Sequence, residues 1–240
     1  MADNPVHLVL LSGGLKSAAL ALDLKRNGAA FRGIHFDYGQ RAAKEEKQAA
    51  VEVAAYLGAE IDFVDMGHFG DLRPGKAWSV LDAGAANESI DPSIPGLLPT
   101  MLLAAGALAI ERKCRSVWVG VRSGDRHHPD AARSTFQSYE HALYRNALSC
   151  GLRLEFPFLD AGADTIPLLI SKAEGRGLLH LTHSCLNGRR PACGVCRGCR
   201  NRSAMFRAAR LDDDLAKGDE SAPDLELARL KRPVVPAKKA

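Results

Sequence analysis

The strongest constraint on the fold is a regular alternation of short apolar runs with longer alanine- and leucine-rich segments, separated by glycines. "VHLVLL", from Val6 to Leu11, is an almost continuous apolar run and predicts a strand buried on both faces. The turn after it leads into a helix through roughly Arg26, which Ser17 can cap and Gly28 stops. "FRGIHFDYG" predicts a second strand, "AAKEEKQAAVEVAAYLG" a helix ended by Gly58, and "IDFVDM" a third strand. Farther on come a helix in "LLPTMLLAAGALAIERK", a strand in "SVWVGV", a helix in "TFQSYEHALYRNAL", a strand in "LRLEFPF" and a helix in "DTIPLLISKAEG". Strands alternating with helices at this spacing predict an α/β fold with a doubly wound parallel sheet. In such sheets ligands sit at the carboxyl ends of the strands, where "SGGLKS", "DYGQR" and "RSGDRHHPD" all fall.

Two stretches break the alternation. Gly67 to Pro99 is rich in Gly, Pro, Asp and Ser and reads as a long functional loop, with Trp78 as a packing residue or a cover for a flat base. "RSGDRHHPDAARS" is a second polar loop, in which His127 and His128 read as solvated or substrate-facing rather than as a second metal site. The expected organisation is an α/β domain over 1–183, a cysteine knuckle with a C-terminal helix over 184–217, and a polar, proline-bearing tail over 218–240 that is expected to be disordered.

Composition sets outer limits. The chain has 240 residues, 46% hydrophobic and 25% charged, which fits a soluble globular protein. No apolar run reaches the ~18 residues of a membrane span, and the N-terminus lacks the basic start and apolar core of a secretory signal, so a cytoplasmic protein is expected. The formal charge of +4 is weak evidence for a nucleic-acid partner. Its local excess, arginines at 189, 190, 197, 200, 202 and 207 without an acidic residue, surrounds the cysteines and can neutralise a metal–thiolate centre.

Those cysteines are the firmest chemical signal. In "HSCLNGRRPACGVCRGC", Cys185, Cys193, Cys196 and Cys199 form two overlapping C-x-x-C pairs and an outlying fourth sulfur, a pattern suited to one tetrahedral zinc. Gly194 and Gly198 relax the turns this needs. An iron–sulfur cluster is the main rival, since it takes the same four thiolates. A redox pair or disulfides fit less well in a reducing compartment. Cys114 and Cys150 read as core residues, and four cysteines leave no place for His183 as a ligand.

"SGGLKS", Ser12 to Ser17, ends in the Lys-Ser of a G-x-x-x-x-G-K-S phosphate loop, but Leu15 stands where that loop needs glycine and its first glycine would fall on Leu10. That reading fails. Ser-Gly-Gly between a first parallel strand and a helix instead resembles the loop of the PP-loop ATP-binding superfamily, whose pattern is S-G-G-x-D-S. The physical logic is common to phosphate loops: Gly13 and Gly14 let the backbone approach, amides at the helix start bind anionic oxygens, and Ser12 and Ser17 add hydroxyls.

With the cysteine cluster, "FDYGQR" and "VGVRSGD", this turn makes the chain from about Val6 to Arg207 resemble the 7-cyano-7-deazaguanine synthase family of queuosine biosynthesis. The resemblance implies conversion of 7-carboxy-7-deazaguanine to the nitrile with ATP, ammonia, magnesium and a structural zinc. It places Ser12, Gly13, Gly14, Leu15 and Ser17 on the phosphates, and Asp37, Tyr38, Gly39, Gln40 and Arg41 along the nucleotide and base. Gly120, Val121 and Asp125 form the far wall, with Asp130 and Arg133 beyond it, and the four cysteines bind zinc. Ser12, Lys16, Ser17 and Asp125 are the candidate catalytic residues. The expected partners are ATP and the deazaguanine, with a second copy of the chain in a homodimer and a protein acceptor as further candidates, and with no membrane or nucleic-acid partner.

The departures lie in the site. The family's loop aspartate is Lys16; "PGLLPT" carries Leu97 and Leu98 where the family offers arginine and asparagine; and "HPDAAR" keeps Pro129, Asp130 and Arg133 but lacks the family's cysteine. A lysine repels the magnesium an aspartate would help to hold, yet can itself meet phosphate oxygens as a point charge. Two alternatives follow. One is a divergent relative of the anti-phage defence type that binds a deazaguanine or transfers it to another acceptor, such as a protein, or a pseudo-enzyme. The other is a non-catalytic zinc-knuckle module for nucleic acid, ranked last because Phe206 is the only aromatic near the knuckle.

Overall fold

The computed structural model describes residues 6–67, 96–123, 132–174, 177–213 and 215. Trp78, Asp125, His127, His128, Asp130 and the tail beyond 215 lie outside the described residues. Five parallel strands form one sheet in the order β3-β2-β1-β4-β5: β1 Val6–Leu10, β2 Ala30–Asp37, β3 Ile61–Asp65, β4 Ser116–Trp118 and β5 Arg153–Glu155. The helices are α1 Leu15–Arg26, α2 Ala43–Leu57, α3 Leu97–Glu111, α4 Arg133–Tyr139, α5 Thr165–Glu174, α6 Gly177–Leu181 and α7 Arg197–Ala209. The expected doubly wound architecture is the one observed.

The sheet separates two apolar layers. Leu8 and Val9 are both fully buried but on opposite faces, as the continuous apolar run requires. Val9 packs in the layer with Leu20, Val53 and Ile170, while Leu8 packs with Ile34, Leu102, Val117 and Phe136. Met205 and Phe206 of α7 lie in the first layer, so the helix after the cysteines shares its core with α1 and α5.

Local chemistry explains most boundaries. Gly58 ends α2 in the left-handed conformation, φ 68°. Helix α3 begins at Leu97, where the predicted segment "LLPTMLLAAGALAIERK" begins, immediately after Gly96 at φ 77°, so Pro99 lies in its first turn, where a missing N–H is harmless. Two details differ from expectation. Gly14, not Ser17, precedes α1, and Ser17 sits inside the first turn with its hydroxyl donating to the Gly14 carbonyl at 3.0 Å. After α4 the chain widens into a π-helical stretch over Glu140–Ala147, where Tyr144 is fully buried and donates to the Leu102 carbonyl at 3.1 Å. Among the described residues, no helix is long and apolar enough to cross a membrane.

Candidate active site and metal centre

Because β1 is central and flanked by β2 and β4, the turns after these three strands meet at one edge of the sheet. The turn after β1 is tight. Gly13 adopts φ 77°, and a Cβ there would collide with the Glu46 carbonyl and stand 2.8 Å from Ala50 N. Only glycine fits so close to α2. The Ser12 and Ser17 hydroxyls meet at 3.1 Å, and the Gly14 amide donates to Ser12 Oγ at 3.3 Å. Ser12 is exposed and Gly14 half-buried, so the turn opens at the surface. No side chain caps α1, and the first amides of a helix have no intrahelical partner. Such a helix start favours anions. Leu15, in contrast, is buried in the core, which leaves only its backbone for a ligand.

The turn after β2 is fastened from within. Gln40 is buried, accepts from the Tyr38 amide at 2.8 Å, and donates to the Phe36 carbonyl at 3.3 Å and to Glu46 Oε2 at 2.9 Å. Asp37 Oδ1 accepts from the Gly39 amide at 3.0 Å, and Gly39 takes φ 77°. Gln40 thus holds the shape of the turn, while Arg41 beside it is exposed.

From the other side, Gly120 backs onto the start of α1. Arg133 lies farther round, exposed at the start of α4, and pairs with Asp160 at 2.7 Å. The structure thus gathers Ser12–Ser17, Asp37–Arg41 and Gly120 at one edge, whereas Arg133 is engaged beyond β5. Two residues escaped sequence reading. Arg122 is a charged residue buried just past β4. Burial pushes the Glu46 carboxyl up to about 7, against the lowering effect of its bond to Gln40, and nearby Asp37 and Glu45 raise it further. The double glutamate of α2 gave no signal that one member turns inward.

The four predicted cysteines come together. Their sulfurs all lie within 4.8 Å of one another, and none forms a disulfide. Cys196 and Cys199 Sγ are 3.4 Å apart, Cys193 and Cys199 Sγ 3.9 Å; tetrahedral zinc with ~2.3 Å bonds sets its sulfurs ~3.8 Å apart. Backbone amides also point at sulfur, from Cys196 to Cys193 Sγ at 3.4 Å and from Cys193 to Cys185 Sγ at 3.5 Å. Hydrogen bonds from the Cys196 and Cys199 thiols hold Cys185 well below the ordinary thiol range. The cluster can hold zinc. Gly194 takes φ 74° in the knuckle, and Gly198 is required because a Cβ would strike the Ser184 carbonyl. His183 donates its ring N–H to the Cys185 carbonyl at 2.8 Å, outside the sulfur quartet.

A parallel sheet whose central strand runs through Ser-Gly-Gly into a helix, joined to a four-thiolate knuckle, defines an α/β protein of the PP-loop type. The chain belongs to the queuosine biosynthesis protein QueC family, whose model matches residues 6–210. It is 31% identical to the 7-cyano-7-deazaguanine synthase of Caldicellulosiruptor saccharolyticus, over 87% of this chain and 93% of that one. It is equally 31% identical to the enzyme of that name from Methanoculleus marisnigri, over 86% and 96%. Among solved structures, NMN synthetase from Francisella tularensis is similar at 12% identity with a TM-score of 0.47, over 90% of this chain and 81% of that one.

Proposed function

We propose that this chain converts 7-carboxy-7-deazaguanine to 7-cyano-7-deazaguanine at the expense of ATP, with ammonia as the nitrogen source. The observation that carries the reading is the family match over 6–210 together with an open Ser-Gly-Gly turn at the mouth of β1. Relatives that span nearly the same length bear the name of this activity.

In this reading the substrate carboxylate attacks the α-phosphorus of ATP, the bond to the β-phosphate breaks, and pyrophosphate leaves. Ammonia adds to the acyl carbon, loses a proton and expels AMP to give the amide. A second ATP adenylates the amide oxygen, with pyrophosphate again the leaving group. Loss of AMP and of the two N–H protons then forms the nitrile.

The amides of Gly13, Gly14 and Leu15, with the hydroxyls of Ser12 and Ser17, hold the phosphates. Asp37, Tyr38, Gly39 and Arg41 line the nucleotide and base, with Gln40 fixing their turn, and Gly120 closes the far side. Asp125 and Asp130 complete the substrate side, while Arg133, paired with Asp160, braces the start of α4. Lys16 stands where the family carries aspartate and meets phosphate oxygens as a point charge, taking over part of the neutralisation that magnesium gives when bound. Electrostatic positioning of this kind supplies most of the catalysis in such transfers. Zinc at Cys185, Cys193, Cys196 and Cys199 holds the knuckle together and takes no chemical part. Such an enzyme belongs in the cytoplasm, where ATP and ammonia are at hand.

The test is product analysis of ATP in the presence of 7-carboxy-7-deazaguanine and ammonium. AMP and pyrophosphate that appear only with the deazaguanine support the reading. ADP and phosphate, or AMP release indifferent to the deazaguanine, contradict it.

A further inference from the structure

The cysteine knuckle touches each of the two ligand-edge turns and, at a third place, the body of helix α2 that follows the second turn. The His183 amide donates to the Gly13 carbonyl at 2.9 Å. Gly188, at φ 62°, approaches the start of α2 so closely that a Cβ would stand 2.9 Å from Glu45 Oε2, 3.3 Å from the Arg41 carbonyl oxygen and 3.4 Å from Ala42 Cα. Arg190 pairs with Glu52 of α2 at 3.9 Å.

The same short segment is tied to the sulfur side. His183 donates its ring N–H to the Cys185 carbonyl, and the Gly188 amide donates to that carbonyl at 2.9 Å. Behind it, the buried guanidinium of Arg202 donates to Thr182 Oγ1 at 2.6 Å and to the Leu179 carbonyl at 3.3 Å. Residues 182–188 are therefore held at both ends. The geometry at Gly13 gives this direct consequence for a ligand. In a trans peptide plane the carbonyl of residue 13 and the amide of residue 14 point in opposite directions. Fixing the Gly13 carbonyl toward His183 therefore fixes the Gly14 N–H toward the mouth of the turn, on the Ser12 side.

We propose that metal binding at the cysteine quartet and nucleotide binding at the Ser12–Ser17 turn are energetically coupled through residues 182–188, with His183 and Gly188 as positioning residues. The proposal rests on the nucleotide reading above. Coupling of this kind is reciprocal: whatever factor the metal adds to nucleotide affinity, the nucleotide adds to metal affinity.

The full-length, zinc-loaded protein is equilibrated with graded amounts of a chromogenic zinc chelator, with and without a saturating non-hydrolysable ATP analogue, and zinc affinity is read from the competition. Binding of the analogue to zinc-loaded and zinc-stripped protein is measured by calorimetry. The analogue tightens zinc by about five-fold or more, the lower end of ordinary coupling, and zinc removal weakens the analogue correspondingly. In Gly188→Ala the ratio of the two zinc affinities falls toward one, a change that global destabilisation alone does not produce. Analogue binding with unchanged zinc affinity in the wild-type protein, or a wild-type ratio in Gly188→Ala, overturns the coupling and leaves the nucleotide reading standing. Failure of the analogue to bind zinc-loaded protein overturns the nucleotide reading and the coupling with it.

Discussion

Gly120 lies directly against Lys16: a Cβ at position 120 would stand 3.0 Å from the Lys16 carbonyl carbon and oxygen and 3.2 Å from the Ser17 nitrogen. These neighbours are backbone, so they yield only if the first turn of α1 moves. Gly120→Ala is therefore expected to cost about 1–3 kcal/mol, as overpacking does, and to weaken ATP more than it lowers the melting temperature suggests. Calorimetric titration with an ATP analogue checks it; unchanged affinity would place the ligand away from the turn.

Lys16 offers a sharper test of how the site handles charge. A charge-assisted hydrogen bond to phosphate is worth about 1.5–3 kcal/mol, so Lys16→Ala should weaken ATP binding by roughly ten-fold or more. Lys16→Asp should weaken it further without magnesium and regain affinity as magnesium is raised. A Lys16→Ala variant that binds ATP normally would remove the lysine from the site.

Arg202 and Asp213 are 4% and 7% exposed and form a paired contact, Nε to Oδ2 at 2.6 Å and Nη2 to Oδ1 at 3.2 Å. Breaking a buried pair leaves one charge uncompensated, at a cost of about 3–5 kcal/mol. Asp213→Ala should lower unfolding free energy by that order in urea melts, whereas Arg202→Met combined with Asp213→Leu should recover much of the loss. Equal losses in the single and double variants would show that the pair is not what matters there.

Two groups near the turns oppose one another in pH. Folding lowers the His35 pKa, chiefly by burial, with the ring at 2% exposure and Nδ1 bonded to the Leu11 carbonyl at 3.0 Å. The unfolded chain then binds the extra proton, so this contribution is present above the ordinary histidine value of 6.5 and is lost as pH falls below it. His7 and His183 share that direction. Glu46 acts the other way: its folded value near 7 exceeds the ordinary 4.5, so its contribution is fully present below 4.5 and is lost as pH rises to 7. Urea stability measured from pH 5 to 8 should rise more steeply with pH in Glu46→Gln than in the parent, and less steeply in His35→Gln. Parallel profiles for all three proteins would contradict both assignments.

Much of this was legible in the sequence. The alternation of strands and helices announced the parallel α/β class, and β1 and β2 declared themselves by apolar runs ended at glycine turns, whereas the order of the strands appears only in the structure. The cysteine spacing picked out the four residues whose sulfurs meet. What stayed hidden depended on contacts distant in the chain. Nothing local reveals that Gln40 turns inward to brace Tyr38, since a glutamine in a polar turn reads equally well as a ligand contact. Ser17 looked like a cap because serine favours that position, but Gly14 and the approach of Gly120 start the helix earlier. The His183–Gly13 bond joins segments far apart in the chain, and an amide–carbonyl contact leaves no mark on side-chain identity.

The most direct measurement of the central claim uses the purified zinc-loaded protein with ATP, magnesium, 7-carboxy-7-deazaguanine and 15N-labelled ammonium, followed by mass spectrometry. The account predicts the amide and then 7-cyano-7-deazaguanine, each one mass unit heavier than with ordinary ammonium, with two AMP formed per nitrile. Unreacted acid, under conditions in which a similar 7-cyano-7-deazaguanine synthase completes the conversion, would contradict it.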